Sequence, residues 1–406
     1  MQNSLIKVYK YRWVVLAVFF IINAVIQMQW LTFAPVAREA RLFYNATAMQ
    51  IDLLSMIFMG VFIVVCIPAS FIIDKYGIRI GVGIGAVLVG IFGLLKGIFA
   101  DSYTMVIIAQ IGLAVGQPFI INAATKVAGQ WFPIKERATA VGIATLAQFV
   151  GIITVMLLTP VLISQTSEGG YELSGMLMKY GIVSAVGAIL FLIFIKERPP
   201  ESPDGKEFSE RILVKEGFKQ ILKNRDMRII LIMFFIGLGL FNAISTCIDQ
   251  ICEIKGLDVD QTGLVGGMML IAGIIGAVIL PILSDKYRKR KLFIVIGMIL
   301  MVPGLIGLTL LNDYIPLLVS SFIFGFFLLG AGAPISFQYS AEITYPAPES
   351  SSQGLMLLSG QISGIIFIVG MNIIGMISFM WVFVVLAVIS IVLSFMLKES
   401  KMIKTA

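Results

Sequence analysis

The chain has 406 residues, 59% hydrophobic and 13% charged, with a formal net charge of +7, 3 cysteines and no histidine. A soluble domain carries about 25% charged residues, so this composition excludes a water-soluble fold and points to one immersed in a bilayer. The missing histidine removes the commonest metal ligand and general base. Cys66, Cys247 and Cys252 lie in or at the ends of apolar runs, without the spacing of a disulfide framework or zinc site.

The first apolar run, from Trp13, is too long for a cleavable signal and lacks a small-residue cleavage site. A bilayer core of about 30 Å needs roughly 20 apolar residues per helix. Apolar runs bounded by charge, proline or glycine predict twelve spans near 13–34, 52–73, 80–99, 104–129, 137–163, 174–195, 228–251, 262–284, 292–311, 314–341, 351–375 and 379–397. The one long polar segment, 196–227, holds Lys196, Arg198, Lys206, Arg211, Lys215, Lys219, Lys223 and Arg225 among acids and prolines. It reads as a cytoplasmic linker with a short amphipathic helix. The expected fold is an all-α membrane protein of two six-helix halves, 1–195 and 228–406.

With the N-terminus inside, all but six of the 30 Lys and Arg fall in cytoplasmic segments; the six are Arg38, Arg41, Lys96, Lys126, Lys179 and Lys255. The expected outer loops hold Asp101, Glu168, Glu172, Asp258, Asp260 and Asp313. This bias puts both termini in the cytoplasm of a multi-pass cell-membrane protein, and explains the basic balance without nucleic acid. Two landmarks repeat. Asp74-Lys75-Tyr76-Gly77-Ile78-Arg79 returns as Asp285-Lys286-Tyr287-Arg288-Lys289-Arg290 after 211 residues, and the Pro and Glu of Trp131-Phe132-Pro133-Ile134-Lys135-Glu136 return in Thr344-Tyr345-Pro346-Ala347-Pro348-Glu349 after 213. The halves are therefore parallel duplicates.

Polar groups at mid-membrane depth are costly unless they face a cavity or a partner. Trp30, Gln117, Asn242 and Gln361 are such residues, and Phe241 adjoins Asn242. An indole face attracts organic cations and amides both donate and accept; the alternative is an interfacial aromatic and helix-to-helix hydrogen bonds. Asp249, seven residues after Asn242, either draws cations inward or marks the wet end of its helix. Glu342 reads as a brace at a helix junction, Lys126 as a snorkelling side chain, and Asp52 as the cap of the second span. Gly81-Val-Gly-Ile-Gly85 and Gly112 with Gly116 allow close helix packing, and with no Gly-Lys-Ser/Thr following they form no phosphate loop. No nucleophile and base stand together, so neither an enzyme nor a cofactor is expected.

The Asp74-Lys75-Tyr76-Gly77-Ile78-Arg79 stretch resembles the loop motif of the major facilitator superfamily. That resemblance implies twelve helices, a cavity walled by spans one, four, seven and ten, and a cytoplasmic gate. Asp74, Lys75, Gly77, Arg79, Asp285, Lys286, Glu136 and Glu342 would serve the gate. Gln29-Trp30 ahead of Phe43-Tyr44, Ile51-Asp52-Leu53-Leu54-Ser55-Met56, Gln117-Pro118-Phe119-Ile120, and Glu342-Ile343-Thr344-Tyr345-Pro346 with Gln361 resemble the feline leukaemia virus subgroup C receptor family. This implies a facilitative carrier of choline and related amines, with an aromatic cage and two glutamines that fall on Trp30, Gln117 and Gln361. Asn242 departs from the family, standing where the second cage aromatic is found. Haem, also proposed for the family, would find no histidine as axial ligand.

The expectation is a monomeric alternating-access transporter that moves a small polar organic solute across a lipid bilayer, with Trp30, Gln117, Phe241, Asn242, Asp249 and Gln361 in contact with it. The alternatives are a proton-coupled antiporter exporting drugs or metabolites, in which Asp249 or Glu342 titrates, and a non-transporting receptor. The second lacks a sizeable extramembrane domain through which to signal.

Overall fold

A computed structural model describes residues 9–133, 136–165, 170–201, 222–344 and 349–400. Most of the 196–227 linker, with its expected amphipathic helix, lies outside them, as do Glu168 and the landmark residues Ile134, Lys135 and Tyr345 to Pro348. The chain divides into two compact units: Met1–Phe33 with Glu39–Arg211, and Ala34–Arg38 with Ile212–Ala406. The short segment 34–38, expected with the first half, packs as part of the second unit.

In hydrocarbon every backbone N–H and C=O must find its partner within the protein, which leaves helices as the spanning element for such a sequence. The first unit runs α1 (Arg12–Trp30), α2 (Ala37–Tyr44, whose first two residues and preceding 3₁₀ turn Ala34–Val36 belong to the second unit), α3 (Ala48–Ile98), α4 (Tyr103–Ile121), α5 (Ala124–Trp131), α6 (Arg137–Leu162) and α7 (Ser174–Phe194). A two-residue antiparallel hairpin pairs Ser164 with Glu172 and Gln165 with Tyr171 between α6 and α7. The second unit runs α8 (Arg225–Thr246), α9 (Ile248–Ile254), α10 (Val259–Tyr287), α11 (Arg290–Leu310), α12 (Tyr314–Gly330), a π turn (Ala331–Ile335), α13 (Ser336–Thr344), α14 (Glu349–Ile374) and α15 (Met376–Met396).

Among the described residues ten helices are long and apolar enough to cross a membrane. The difference from twelve uninterrupted spans has a local cause. The 51-residue α3 is two expected spans that meet at Gly77, whose φ of 90° breaks the helix there and starts a second arm. The expected tenth span is divided into α12, the π turn and α13. The second span begins earlier than expected, at Ala48, because Thr47 and Gln50 form a reciprocal capping box. Asp52 is consequently a buried residue inside the helix and not its cap.

The first, fourth, seventh and tenth spans are the interrupted ones. α1 gives way to turns at 31–33, α4 and α5 are separated at Asn122 and Ala123, α8 and α9 at Cys247, and α12 and α13 by the π turn. Two of these breaks follow from proline. Pro35 has no N–H for the carbonyl of Leu31, and Pro334 has none for that of Gly330. Among the described residues the other spans run through, several with prolines of their own. Broken helices at membrane depth belong where the backbone lines a cavity or is covered by protein.

Close packing holds α3 to α4. A methyl added at Gly85 would meet the carbonyl oxygen of Gly116 at 2.9 Å, whereas one added at Gly60 would meet nothing within 4 Å. Gly85→Ala should therefore lower the melting temperature by several degrees, since overpacking costs about 1–3 kcal/mol. Gly60→Ala should hold or raise it, by helix propensity of up to about 1 kcal/mol. Thermal unfolding of both purified variants checks this; equal behaviour would refute the packing account.

Candidate functional site

In the first unit, α1 presents Asn23, Gln27 and Trp30 at helical spacing, so they share a side of the helix. Asn23 donates to the carbonyl of Ala144 at 2.8 Å, holding α1 against α6. Gln117 of α4 donates to Gln27 Oε1 at 3.1 Å, and Gln27 in turn donates to Gln148 Oε1 of α6 at 3.1 Å. Three amides from three helices thus form one directed chain. Gln27 and Gln117 are buried, and Gln148 is partly exposed. The Trp30 indole N–H donates to the carbonyl of Ser55 at 3.2 Å, and Ser55 Oγ donates back to the Trp30 carbonyl at 3.4 Å. Gln27 and Gln148 did not stand out in the sequence. Their signal was an amide three residues before Trp30 and another inside an apolar span.

In the second unit, Phe241 and Asn242 are buried on α8. Asn242 Nδ2 donates to the carbonyl of Gly360 on α14 at 3.2 Å, directly before the half-exposed Gln361. Asp249, on α9, is fully buried and engaged by Arg38. Its Oδ2 accepts the Arg38 backbone N–H at 2.6 Å, and its Oδ1 accepts Nε at 2.8 Å and lies 2.7 Å from Nη2. Arg38 also donates to the carbonyl of Leu257 at 2.8 Å and to Thr262 Oγ1 at 3.3 Å. A carboxylate so enclosed holds a segment in place; it is not an open attractor of cations.

The residues assigned to the gate gather around helix ends. Glu197, just beyond α7, accepts the backbone N–H groups of Ile78 and Arg79 at 3.1 and 2.8 Å and the amide of Gln130 at 3.2 Å. It sits where a side chain on Gly77 would have to go. Lys126 does not snorkel away; it donates to the carbonyls of Ile73 and Asp74 and stands 3.8 Å from the exposed Asp74 carboxylate. Lys75 is exposed, its ammonium 5.2 Å from the Tyr76 ring centroid. The Arg79 side chain is exposed, and Glu136 pairs with Arg12 at 2.9 Å.

The second unit repeats this junction with its charges rewired. Glu399, just beyond α15, accepts the N–H groups of Arg290 and Lys291 at 2.8 and 3.2 Å. The buried Arg290 lies 2.5 Å from Asp285 and 3.2 Å from Glu342, which also accepts from Gln338 at 3.2 Å. Lys286 is exposed. Glu197 and Glu399 went unnoticed in the sequence although they carry a repeat signal: Ile195-Lys196-Glu197 and Leu397-Lys398-Glu399 each follow the last span of a half. Among the described residues no cluster suited to a metal ion occurs.

Comparison with known proteins matches this arrangement to a family. The family model of the Major Facilitator Superfamily matches residues 15–367 and, in a second match, 248–401. The choline/ethanolamine transporter FLVCR2 of Homo sapiens is 29% identical over 380 residues, 90% of this chain and 72% of that protein. Solute carrier family 49 member A3 of Danio rerio is 29% identical over 377 residues, 89% of this chain and 78% of that one. An uncharacterized MFS-type transporter of Caenorhabditis elegans is 28% identical, and the match covers 88% of this chain but only 64% of that protein's length. In fold, a bacterial homolog of the human lysosomal transporter Spinster, inward-facing and unoccupied, superposes with a TM-score of 0.75 at 17% identity, over 98% of this chain and 99% of that one. The chain belongs to the Major Facilitator Superfamily and is a secondary membrane transporter.

Proposed function

We propose that this transporter carries a small polar organic amine, of the choline or ethanolamine type, by alternating access and without a coupling proton. The observation that carries the reading is the amide chain Gln117–Gln27–Gln148 lying one helical turn from Trp30. With the indole N–H spent on Ser55, the chemistry remaining to Trp30, which is 6% exposed, is that of its ring faces, the part of an indole that attracts an ammonium group. The amides supply both donors and acceptors for a hydroxyl. The relatives named as choline/ethanolamine transporters support the same class.

Phe241, Asn242 and Gln361 are the second unit's candidates for contact. Asn242 spends its N–H on Gly360 and leaves its Oδ1 to offer. The two carboxylates that a proton-coupled exporter would titrate are each held by an arginine, Asp249 by Arg38 and Glu342 by Arg290, which supports uniport. The protein would work as a monomer in the cell membrane, both termini cytoplasmic, with the Glu197 and Glu399 junctions on the cytoplasmic side as its gating elements.

Trp30→Ala should weaken choline or ethanolamine binding about 2- to 30-fold, as expected for loss of a cation–π contact of about 0.5–2 kcal/mol. Thermal stabilisation of the purified protein by each amine measures this. No stabilisation of the wild type, or equal stabilisation of the variant, would remove the amine reading. Glu197→Gln and Glu399→Gln keep an acceptor but withdraw a charge from a helix N-terminus, worth about 0.3–1 kcal/mol. Each should change the maximal uptake rate in proteoliposomes about two- to five-fold and leave KM in place; a change confined to KM would argue against a gating role.

A further inference from the structure

Lys96, on the second arm of α3, has no place in the account so far. It is fully buried inside the first unit, and among the described residues no carboxylate lies within ion-pair distance of it. Its Nζ donates to Thr32 Oγ1 at 3.1 Å, to the Gln29 carbonyl at 3.4 Å and to Gln110 Oε1 at 3.4 Å, with the Phe33 ring centroid 5.5 Å away. An intramembrane charge is retained against its cost only where it serves a purpose.

The three oxygens are held in place by second bonds. Gln110 donates its amide to the Leu54 carbonyl at 3.0 Å, which turns its Oε1 toward Lys96. Thr32 commits its hydroxyl proton to the carbonyls of Met28 and Gln29 at 3.0 and 3.1 Å, leaving its lone pairs for the ammonium. The Gln29 carbonyl belongs to the last turn of α1, where the broken helix leaves carbonyls without N–H partners and where its dipole is negative. A carbonyl at a broken helix end is the group by which transporters with discontinuous helices hold a coupling cation; here a hydroxyl and an amide oxygen, both neutral, join it.

We propose that Lys96 is a tethered cation occupying an oxygen-lined monovalent-cation site at the end of α1. The site is permanently filled by the chain's own ammonium. The contacts of 3.1–3.4 Å are long hydrogen bonds, and oxygens spaced this widely are too far apart to close on a small hard ion at about 2.0–2.6 Å. Lys96 thereby fixes the peptide joining Gln29 to Trp30, and a dissolved cation is not needed to close the break in α1.

Truncation to Lys96→Ala empties the site, and an added ion that fits and donates hydrogen bonds should refill it. Purified Lys96→Ala should melt several degrees below wild type and regain more than half of the loss, saturably, in methylammonium chloride. Tetramethylammonium, which has no N–H to donate, should restore nothing beyond what it adds to wild type at the same ionic strength. Wild type and Lys96→Met, whose side chains fill the space, should show only the response of the amine site at Trp30, equal in both, and the Lys96→Ala response is read as the excess over it. A monodisperse Lys96→Ala indifferent to methylammonium, or equally responsive to tetramethylammonium, would overturn the proposal. If Lys96→Ala yields no folded protein, Lys96→Arg and Lys96→Met decide. The cationic variant should fold and melt above the neutral one of similar length, and a methionine variant as stable as the arginine one would overturn the assignment. Read as the excess over wild type, these shifts do not depend on which solute is carried.

Discussion

A helix end inside a membrane has nowhere to send its unpaired backbone groups except to side chains, and five charged side chains of this protein meet that need. Lys96 takes a carbonyl at the end of α1, Lys126 takes those at the end of the first arm of α3, and Lys255 takes those of Thr309 and Leu311 at the end of α11. Glu197 and Glu399 do the converse, accepting the first N–H groups of the arm after Gly77 and of α11. Cations at C-terminal ends and anions at N-terminal ends are the pairing that the helix dipole favours. In a low dielectric the gain is larger, and so is the cost of leaving either group alone.

The same need separates the two kinds of polar residue in the spans. Charged groups are consumed by structure: Asp249 by Arg38, Glu342 and Asp285 by Arg290. The amides are less completely used. In the chain Gln117–Gln27–Gln148, one amide donates, the middle one both accepts and donates, and the last accepts, leaving a carbonyl oxygen at one end and an NH₂ group at the other. Neutral groups of this kind bind a polar solute without the desolvation that a bare charge would exact, and they suit a carrier that must also let its solute go.

The internal repeat survives as geometry more than as sequence. Both halves close the start of their third span with a glutamate that follows their sixth, yet the surrounding charges differ. The first junction places a lysine on α5 and an exposed aspartate beside it; the second places a buried arginine at the start of α11 between two carboxylates. The helix N-terminus sets the requirement for an anion, and several arrangements of neighbours can satisfy the remaining charge.

The sequence by itself determined the membrane class, the helical spans, the duplication and the superfamily, because apolar run length, charge placement and repeated loops are local properties that the bilayer reads directly. It also singled out Trp30, Gln117 and Asn242, since a polar group in an apolar run is visible without a partner. Only the tertiary structure decided who those partners are. Gln27 and Gln148 join Gln117 across three helices, Asp249 is met by an arginine 211 residues away, and Glu197 caps a helix that begins 119 residues earlier. It also replaced Asp52 by Thr47 as the cap of the second span and turned Lys126 from a snorkelling side chain into a helix-end donor. Hydrogen bonds and ion pairs act over about 3 Å in space, and no spacing along the chain records which distant residues folding brings that close.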